Sequence, residues 1–334
     1  GKILAYSIAP ALLYYVAIYI FTDVKAAQRN LQGLPRSELP RIRDALAQGW
    51  HILGAVGLLI ALLLMDFTPF FSAGACVVAT FAVAMMRKAT RISPEKIIVT
   101  LETGTRVALS ISALLASAAI IYGVTVQTGL LIKITSILLD FSGGSMFIAI
   151  VLIGLISYVV GMGMPVTASY VIIAALGATF LQDLGMSALA AHLIIFWFAQ
   201  DSTITPPICM TAFVGARIAD ANPMRTGWEC VKLAKALYII PFVFAFGSLL
   251  DDSIAEIIFD VFALFICFTA MQLAITGYWR ADLNPTTRIL LGATSLIALT
   301  ATVGPAVDGL YWIAAAVAGS VIFVFFNARP KVTA

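Results

Sequence analysis

Long apolar runs dominate this chain and leave it one kind of architecture. They recur at Ile3–Phe21, Trp50–Met65, Phe70–Met86, Val107–Val126, Lys232–Leu250, Ile254–Thr276, Arg288–Val303 and Leu310–Phe326. A helix needs about 20 such residues to cross a bilayer, fewer where the bilayer thins. Inside lipid every backbone N–H and C=O must be paired, so only helices and closed barrels can span. A barrel would alternate over segments of about ten residues, and these runs do not alternate. Only 11% of residues are charged and 61% are hydrophobic, against about 25% charged in a soluble domain. The fold class is an all-α polytopic membrane protein. The net charge of +3 is not a nucleic-acid footprint, because the basic residues sit in loops, where they orient a membrane protein. The chain opens at Gly1 already inside an apolar run, without an n-region or cleavage site, and further sequence is expected to precede it.

Between Val126 and Lys232 the pattern becomes irregular, and there the chemistry lies. Met146–Val160 and Val166–Leu181 are each short, and their link, Met162-Gly163-Met164-Pro165, carries no charge. This pair reads as a re-entrant hairpin whose tip lies at depth. Gly161 and Gly163 let the backbone leave helical geometry, and Pro165 suits the start of the returning helix. Carbonyls ending the first helix are expected to point inward without intrahelical partners, as hard donors for a cation such as Na⁺. Thr167 and Ser169 add hydroxyls, and the N–H groups opening the second helix favour an anion. Ser187–Gln200 and Pro207–Ala216 are also too short alone. Joined through Asp201-Ser-Thr-Ile-Thr-Pro206, they make one discontinuous span. Asp201, Ser202, Thr203 and Thr205 offer a carboxylate and hydroxyls, while Pro206 and Pro207 stop one half-helix and start the next. An Asp at membrane depth is a functional candidate by default, as a cation ligand or a proton carrier; the competing reading is a cap for the following half-helix. A Na⁺ would sit among Gly161, Thr167, Asp201 and Thr205, and Met164 completes the candidate tip. Two such breaks in short apolar segments are the mark of a secondary transporter's substrate and ion site.

Loop charge sets the orientation. Val24–Gly49, with Lys25, Arg29, Arg36, Arg41 and Arg43, and the next basic loop, Arg87 to Lys96, fall on the cytoplasmic side. If the hairpin enters and leaves on one side and the broken segment crosses once, Arg217, Arg225, Lys232 and Lys235 also fall inside, as do Arg280, Arg288, Arg329 and Lys331. The C-terminus is then cytoplasmic, and Lys133 is the one basic residue outside. Ser93–Glu102 reads as an amphipathic arm helix in the cytoplasmic interface. His192, Leu12-Leu-Tyr-Tyr15 and Phe196-Trp-Phe198 read as packing surface, and His51 beside Trp50 as an interface anchor. Cys76, Cys209, Cys230 and Cys267 form no C-x-x-C pair, so neither a zinc site nor a disulfide framework is implied. No Walker A, H-E-x-x-H or Ser/His/Asp order argues for an enzyme.

Gly161-Met-Gly-Met-Pro-Val-Thr-Ala-Ser-Tyr170, Gln200-Asp-Ser-Thr-Ile-Thr-Pro-Pro207 and Ala216-Arg-Ile-Ala-Asp-Ala-Asn-Pro223 closely resemble the large membrane subunit of tripartite ATP-independent periplasmic (TRAP) transporters. Leu31-Gln-Gly-Leu-Pro-Arg-Ser-Glu-Leu-Pro40 looks like the cytoplasmic loop of the TAXI branch. The resemblance implies secondary active import of organic acids, carboxylates or amino acids, driven by Na⁺ or H⁺ in the bacterial inner membrane. It implies two partners, a periplasmic TAXI-type solute-binding protein and a small four-helix membrane subunit, often fused upstream; no cofactor is implied beyond the coupling ion. It implies two inverted repeats moving as an elevator. On that reading residues 1–106 hold scaffold helices, the cytoplasmic loop and the arm. Residues 107–231 hold the transport-type repeat, with hairpin 146–181 and broken helix 187–216. Residues 232–250 form its last helix and 251–334 a C-terminal three-helix extension. The first repeat's hairpin and broken helix are missing from these 334 residues. A transporter that works without a binding protein, and a non-transporting membrane scaffold, stay open beside this reading.

Overall fold

The computed structural model describes residues 2–303 and 319, apart from 32, 34, 36, 37, 40, 87–89, 163, 252 and 280. The expected span Leu310–Phe326, part of the 31–40 loop and the tip residue Gly163 lie outside the described residues. What is described is helical but for one pair of two-residue strands. Among the described residues, Tyr6–Gln28, Pro69–Met86, Ile254–Thr276 and Pro285–Val303 are long and apolar enough to cross a membrane, while Met146–Gly161 and Ala188–Asp201 are apolar but shorter. The chain is a multi-pass membrane protein.

It divides into two compact units. The first comprises Gly1–Ile8 and Gln32–Ala113. Two of its helices, α2 (Ile42–Leu64) and α3 (Pro69–Met86), pack against each other across a turn at Met65–Thr68. The Cys76 thiol of α3 donates to Ala55 O of α2 at 3.2 Å, a contact that a small residue permits. The second unit comprises Ala9–Leu31 and Leu114–Ala334. Helices α1 (Lys2–Gln28) and α4 (Pro94–Gln127) contribute residues to both. The expected arm helix and the span after it are one continuous helix, α4. Nothing between Glu102 and Val107 breaks it, because Gly104 alone costs only about 1 kcal/mol in a helix.

In the second unit come α5 (Leu130–Ser142), α6 (Met146–Gly161), α7 (Val166–Asp183), α8 (Ala188–Asp201), α9 (Met210–Ile218), α10 (Pro223–Leu233), α11 (Lys235–Phe246), α12 (Ile254–Thr276) and α13 (Pro285–Val303). Their ends follow local chemistry. Ser145 Oγ accepts from Ile148 N–H and Ser187 Oγ from Ala190 N–H, opening α6 and α8. Asn222 Oδ1 accepts from Arg225 N–H at 3.0 Å, with Pro223 as the first residue of α10. The expected continuous span from Lys232 does not form. Ala234 closes α10 and opens α11, so amphipathic and apolar segments separate there. Helices α12 and α13 form a hairpin through β1 (Tyr278–Trp279) and β2 (Ala281–Asp282), paired antiparallel. Gly277 ends α12 in the left-handed region, at φ 66. Arg288 reaches back from α13 and donates Nε–H to Ala274 O at 2.8 Å, satisfying a carbonyl of the last turn.

The core of this unit runs through α6, α7, α8, α11 and α12, with Ile150, Phe180, Ile194, Ile240, Leu264 and Phe268 at its centre. Two glycines set the helix spacing. A Cβ at Gly177 would lie 2.6 Å from Ile153 Cδ1, and one at Gly154 would lie 3.1 Å from the Phe198 ring. Helices α6, α7 and α8 therefore close-pack by the absence of side chains.

Candidate functional site

The hairpin tip forms because its sequence forbids continuing the helix. After Gly161 the chain turns extended at Met162 (φ −60, ψ 118). Pro165 (φ −61, ψ 145) then opens α7 without a side-chain cap. The expected orphan carbonyls are partly taken up: Tyr158 O accepts from Met162 N–H and Gly161 O from Met164 N–H, each at 3.2 Å. A tight tip lets the chain satisfy its own helix end.

The second break is longer than the sequence suggests. Helix α8 ends at Asp201 and α9 begins at Met210, rather than at Pro207. Hydroxyls hold the intervening turns. Ser202 Oγ donates to Ala199 O and Thr203 Oγ1 to Gln200 O, each at 2.8 Å, and Thr205 Oγ1 donates to Asp201 O at 2.6 Å. These bonds cap the last carbonyls of α8. They use each hydroxyl's proton and leave oxygen lone pairs to accept or to coordinate a cation. Tyr238 Oη of α11 lies 2.8 Å from Thr205 Oγ1. Since Thr205 gives its own proton to Asp201 O, Tyr238 is the donor in that pair.

The structure brings the two breaks together. Gly161 is the point of contact: a Cβ there would lie 2.6 Å from Ser202 Cβ and 2.8 Å from Ser169 Oγ. Ser169, Asp201 and Ser202 are buried. Asp201 exposes none of its surface, and neither of its carboxylate oxygens, nor Ser169 Oγ, has a hydrogen-bond partner among the described residues. Three tyrosines surround this carboxyl electrostatically: Tyr158 of α6, Tyr14 of α1 and Tyr238 of α11. Tyr158 interacts with it most directly, without the geometry of a formed hydrogen bond. Thr167, by contrast, lies on the exposed face of α7 and joins no part of this cluster. Pro206 packs towards α10, where a Cβ on Gly227 would sit 3.2 Å from its Cγ and 2.5 Å from Cys209 Sγ. On the same helix, a 3.0 Å hydrogen bond from Lys232 holds the Glu229 carboxyl below its usual value.

Beside the cluster opens a cavity of about 590 Å³. The hairpin contributes Met164, Pro165 and Val166; the broken helix contributes Gln200, Thr203 and Thr211. Tyr14 and Tyr15 close it from α1, and Leu237 from α11. Apolar surface with a few convergent amides and hydroxyls suits a small organic solute. Against this chain the family model for the DctM component of tripartite ATP-independent periplasmic transporters matches residues 1–250.

The chain belongs to the DctM family. No curated protein and no solved structure matches it. DctM proteins are transporter components, not enzymes, and operate in tripartite systems with a binding protein and a small membrane subunit. Helices α12 and α13 lie beyond the DctM match. Among the sequence-derived candidates, this DctM chain gathers Gly161, Ser169, Asp201 and Ser202 in one buried cluster, and Met164, Pro165 and Thr203 around the cavity. His192, read as packing, pairs its Nδ1 with Tyr170 Oη at 3.0 Å, tying α8 to α7. Sequence reasoning missed Tyr14, Tyr158, Tyr238 and Gln200. The available signal was a polar tip inside an apolar run, because a buried tyrosine O–H usually needs a partner.

Proposed function

We propose that this chain is the TAXI-type large permease subunit of a TRAP transporter, in its C-terminal portion. It supplies one repeat's hairpin and broken helix to a cation-driven import of organic acids across the bacterial inner membrane. The observation that carries the reading is the meeting of the two breaks. One cavity is lined from both, and an unpartnered, fully buried carboxyl lies next to it. A charged Asp at depth costs at least ~2.5 kcal/mol without a partner, which a coupling cation, Na⁺ or H⁺, offsets. Asp201 with Ser169, Ser202, Thr205 and Gly161 supplies the oxygen-rich side of that site. The uncapped start of α7 at Val166 presents backbone N–H groups to a carboxylate solute in the cavity. The periplasmic binding protein delivers the solute, and the small membrane subunit completes the scaffold. Residues 107–231 form the moving body, carried as an elevator against helices of 1–106.

Asp201→Asn tests this reading in the complete transporter, reconstituted with its binding protein and small subunit. Cation-driven uptake should fall at least tenfold, or lose its cation dependence, with assembly unchanged by gel filtration. Wild-type uptake with unaltered cation dependence would remove Asp201 from the coupling site.

A further inference from the structure

Helix α11 is only 12 residues long and is interrupted at both ends. Ala234 separates it from α10, and after Phe246 the backbone turns extended at Gly247, φ −100 and ψ −176. Helix ends leave backbone groups unpaired, which is costly in apolar surroundings. One helix, α12, bonds the chain on both sides of α11, at the last carbonyl of α10 and at the second residue past Phe246. Gln272, wholly buried, donates Nε2–H to Leu233 O at 3.0 Å. Asp260, also buried, accepts Ser248 N–H at 2.6 Å. Gly247 makes room for that carboxylate, since a Cβ there would lie 2.9 Å from Asp260 Oδ2. Gln272, late in α12, bonds before α11, and Asp260, early in α12, bonds after it, so the two helices run in opposite directions.

Helix α11 is also what holds the break. Its Tyr238 donates to Thr205, and its Leu237 lines the cavity. Helix α12 itself lies outside the DctM match. We propose that α12 is a built-in brace for the broken-helix site, in which Gln272 and Asp260 are positioning residues that set Tyr238, and through it Thr205, by fixing the chain just before and just after α11. This extends the proposed function and rests on it only for the transport readout.

Gln272→Leu is the sharpest perturbation. It removes the donor to Leu233 O and also removes Oε1, which has no partner among the described residues, so the helix packing keeps its apolar volume. Two measurements on the assembled transporter decide the matter. The first is amide hydrogen exchange. The brace requires residues 202–211 to exchange about tenfold faster in the variant, the effect of one lost buried hydrogen bond, while the core of α6 and α7 is unchanged. Wild-type exchange at 202–211, or a uniform rise throughout the unit, overturns the proposal. The second is a double-mutant cycle with Tyr238→Phe, read as the cation concentration for half-maximal uptake. If Gln272 acts through Tyr238, the double variant matches Y238F alone; additive shifts would make the two independent and overturn the brace. If Q272L does not assemble, Asp260→Asn weakens the bond to Ser248 N–H on the other side of α11 and carries both measurements. Uptake by the wild type that needs no cation defeats the proposed function, while the exchange result still decides the brace.

Discussion

Gly161→Ala tests whether the hairpin tip and the broken helix must touch for the site to exist. The added methyl would lie 2.6 Å from Ser202 Cβ and 2.8 Å from Ser169 Oγ, and would also meet Ser202 Oγ. Separations under about 3.5 Å between carbons are repulsive. Neither serine can step aside freely. Ser202 is held by its bond to Ala199 O at 2.8 Å, and both side chains are buried. Overpacking of this kind costs typically 1–3 kcal/mol. With several contacts closed at once, about 2 kcal/mol is expected, close to a thirtyfold shift away from the closed arrangement. The assay is initial-rate uptake by the reconstituted complete transporter, with thermal unfolding in detergent as a control. Uptake should fall about thirtyfold and the midpoint by a few degrees. The reasoning also dictates which second change restores activity. Ser202→Gly removes both Cβ and Oγ and should recover most of the loss, less the cap bond to Ala199 O, worth about 1 kcal/mol. Ser202→Ala keeps the 2.6 Å clash and should recover little. Wild-type uptake in G161A, or equal rescue by S202A and S202G, would refute the contact.

Two further predictions come from the cavity and its surroundings. Met164→Cys, at the cavity wall, should react with a small thiol reagent and be protected by bound solute; labelling unaffected by solute would take the tip out of the binding site. Gly227→Ala sets a methyl 2.5 Å from Cys209 Sγ and should lower the thermal midpoint by a few degrees, with ~1–3 kcal/mol of overpacking relieved in a Cys209→Ala background. An unchanged midpoint would mean that α10 does not press on the break.

The breaks were legible in the sequence because their chemistry is local. Gly161 and Pro165 end one helix and open the next by their own covalent geometry, and Pro206 and Pro207 keep the stretch between Asp201 and Met210 out of a helix, whatever packs around them. Asp201 stood out because a carboxylate in an apolar run has no cheap explanation. The tyrosine surround was not legible. Tyr14, Tyr158 and Tyr238 come from three separate helices, and only packing brings them within electrostatic range of one carboxyl. The roles of Ser202, Thr203 and Thr205 were half read. Their residue types announced oxygen ligands, but a hydroxyl beside a helix end bonds that end first, and here all three do. Helix α5 was missed, since its 13 residues are short for a span and carry Lys133. The two ends of α11 were missed because Ala234 and Gly247 look unremarkable until Gln272 and Asp260 arrive from α12.

The glycines at 154, 161 and 177 have a consequence for how such a protein can diversify. A Cβ at Gly161 meets Ser202 and Ser169 head-on, whereas one at Gly154 or Gly177 meets the Phe198 ring or the tip of Ile153, which must shift, so in the seam joining α6, α7 and α8 the Gly161 position has the least freedom to accept replacements. A lineage that needs to handle a new solute cannot retune itself there. Room for change lies at positions facing open space, such as Met164, Gln200, Thr203 and Thr211 at the cavity wall. A wall residue can change where it faces open space, while Gly161 is tied to what it touches.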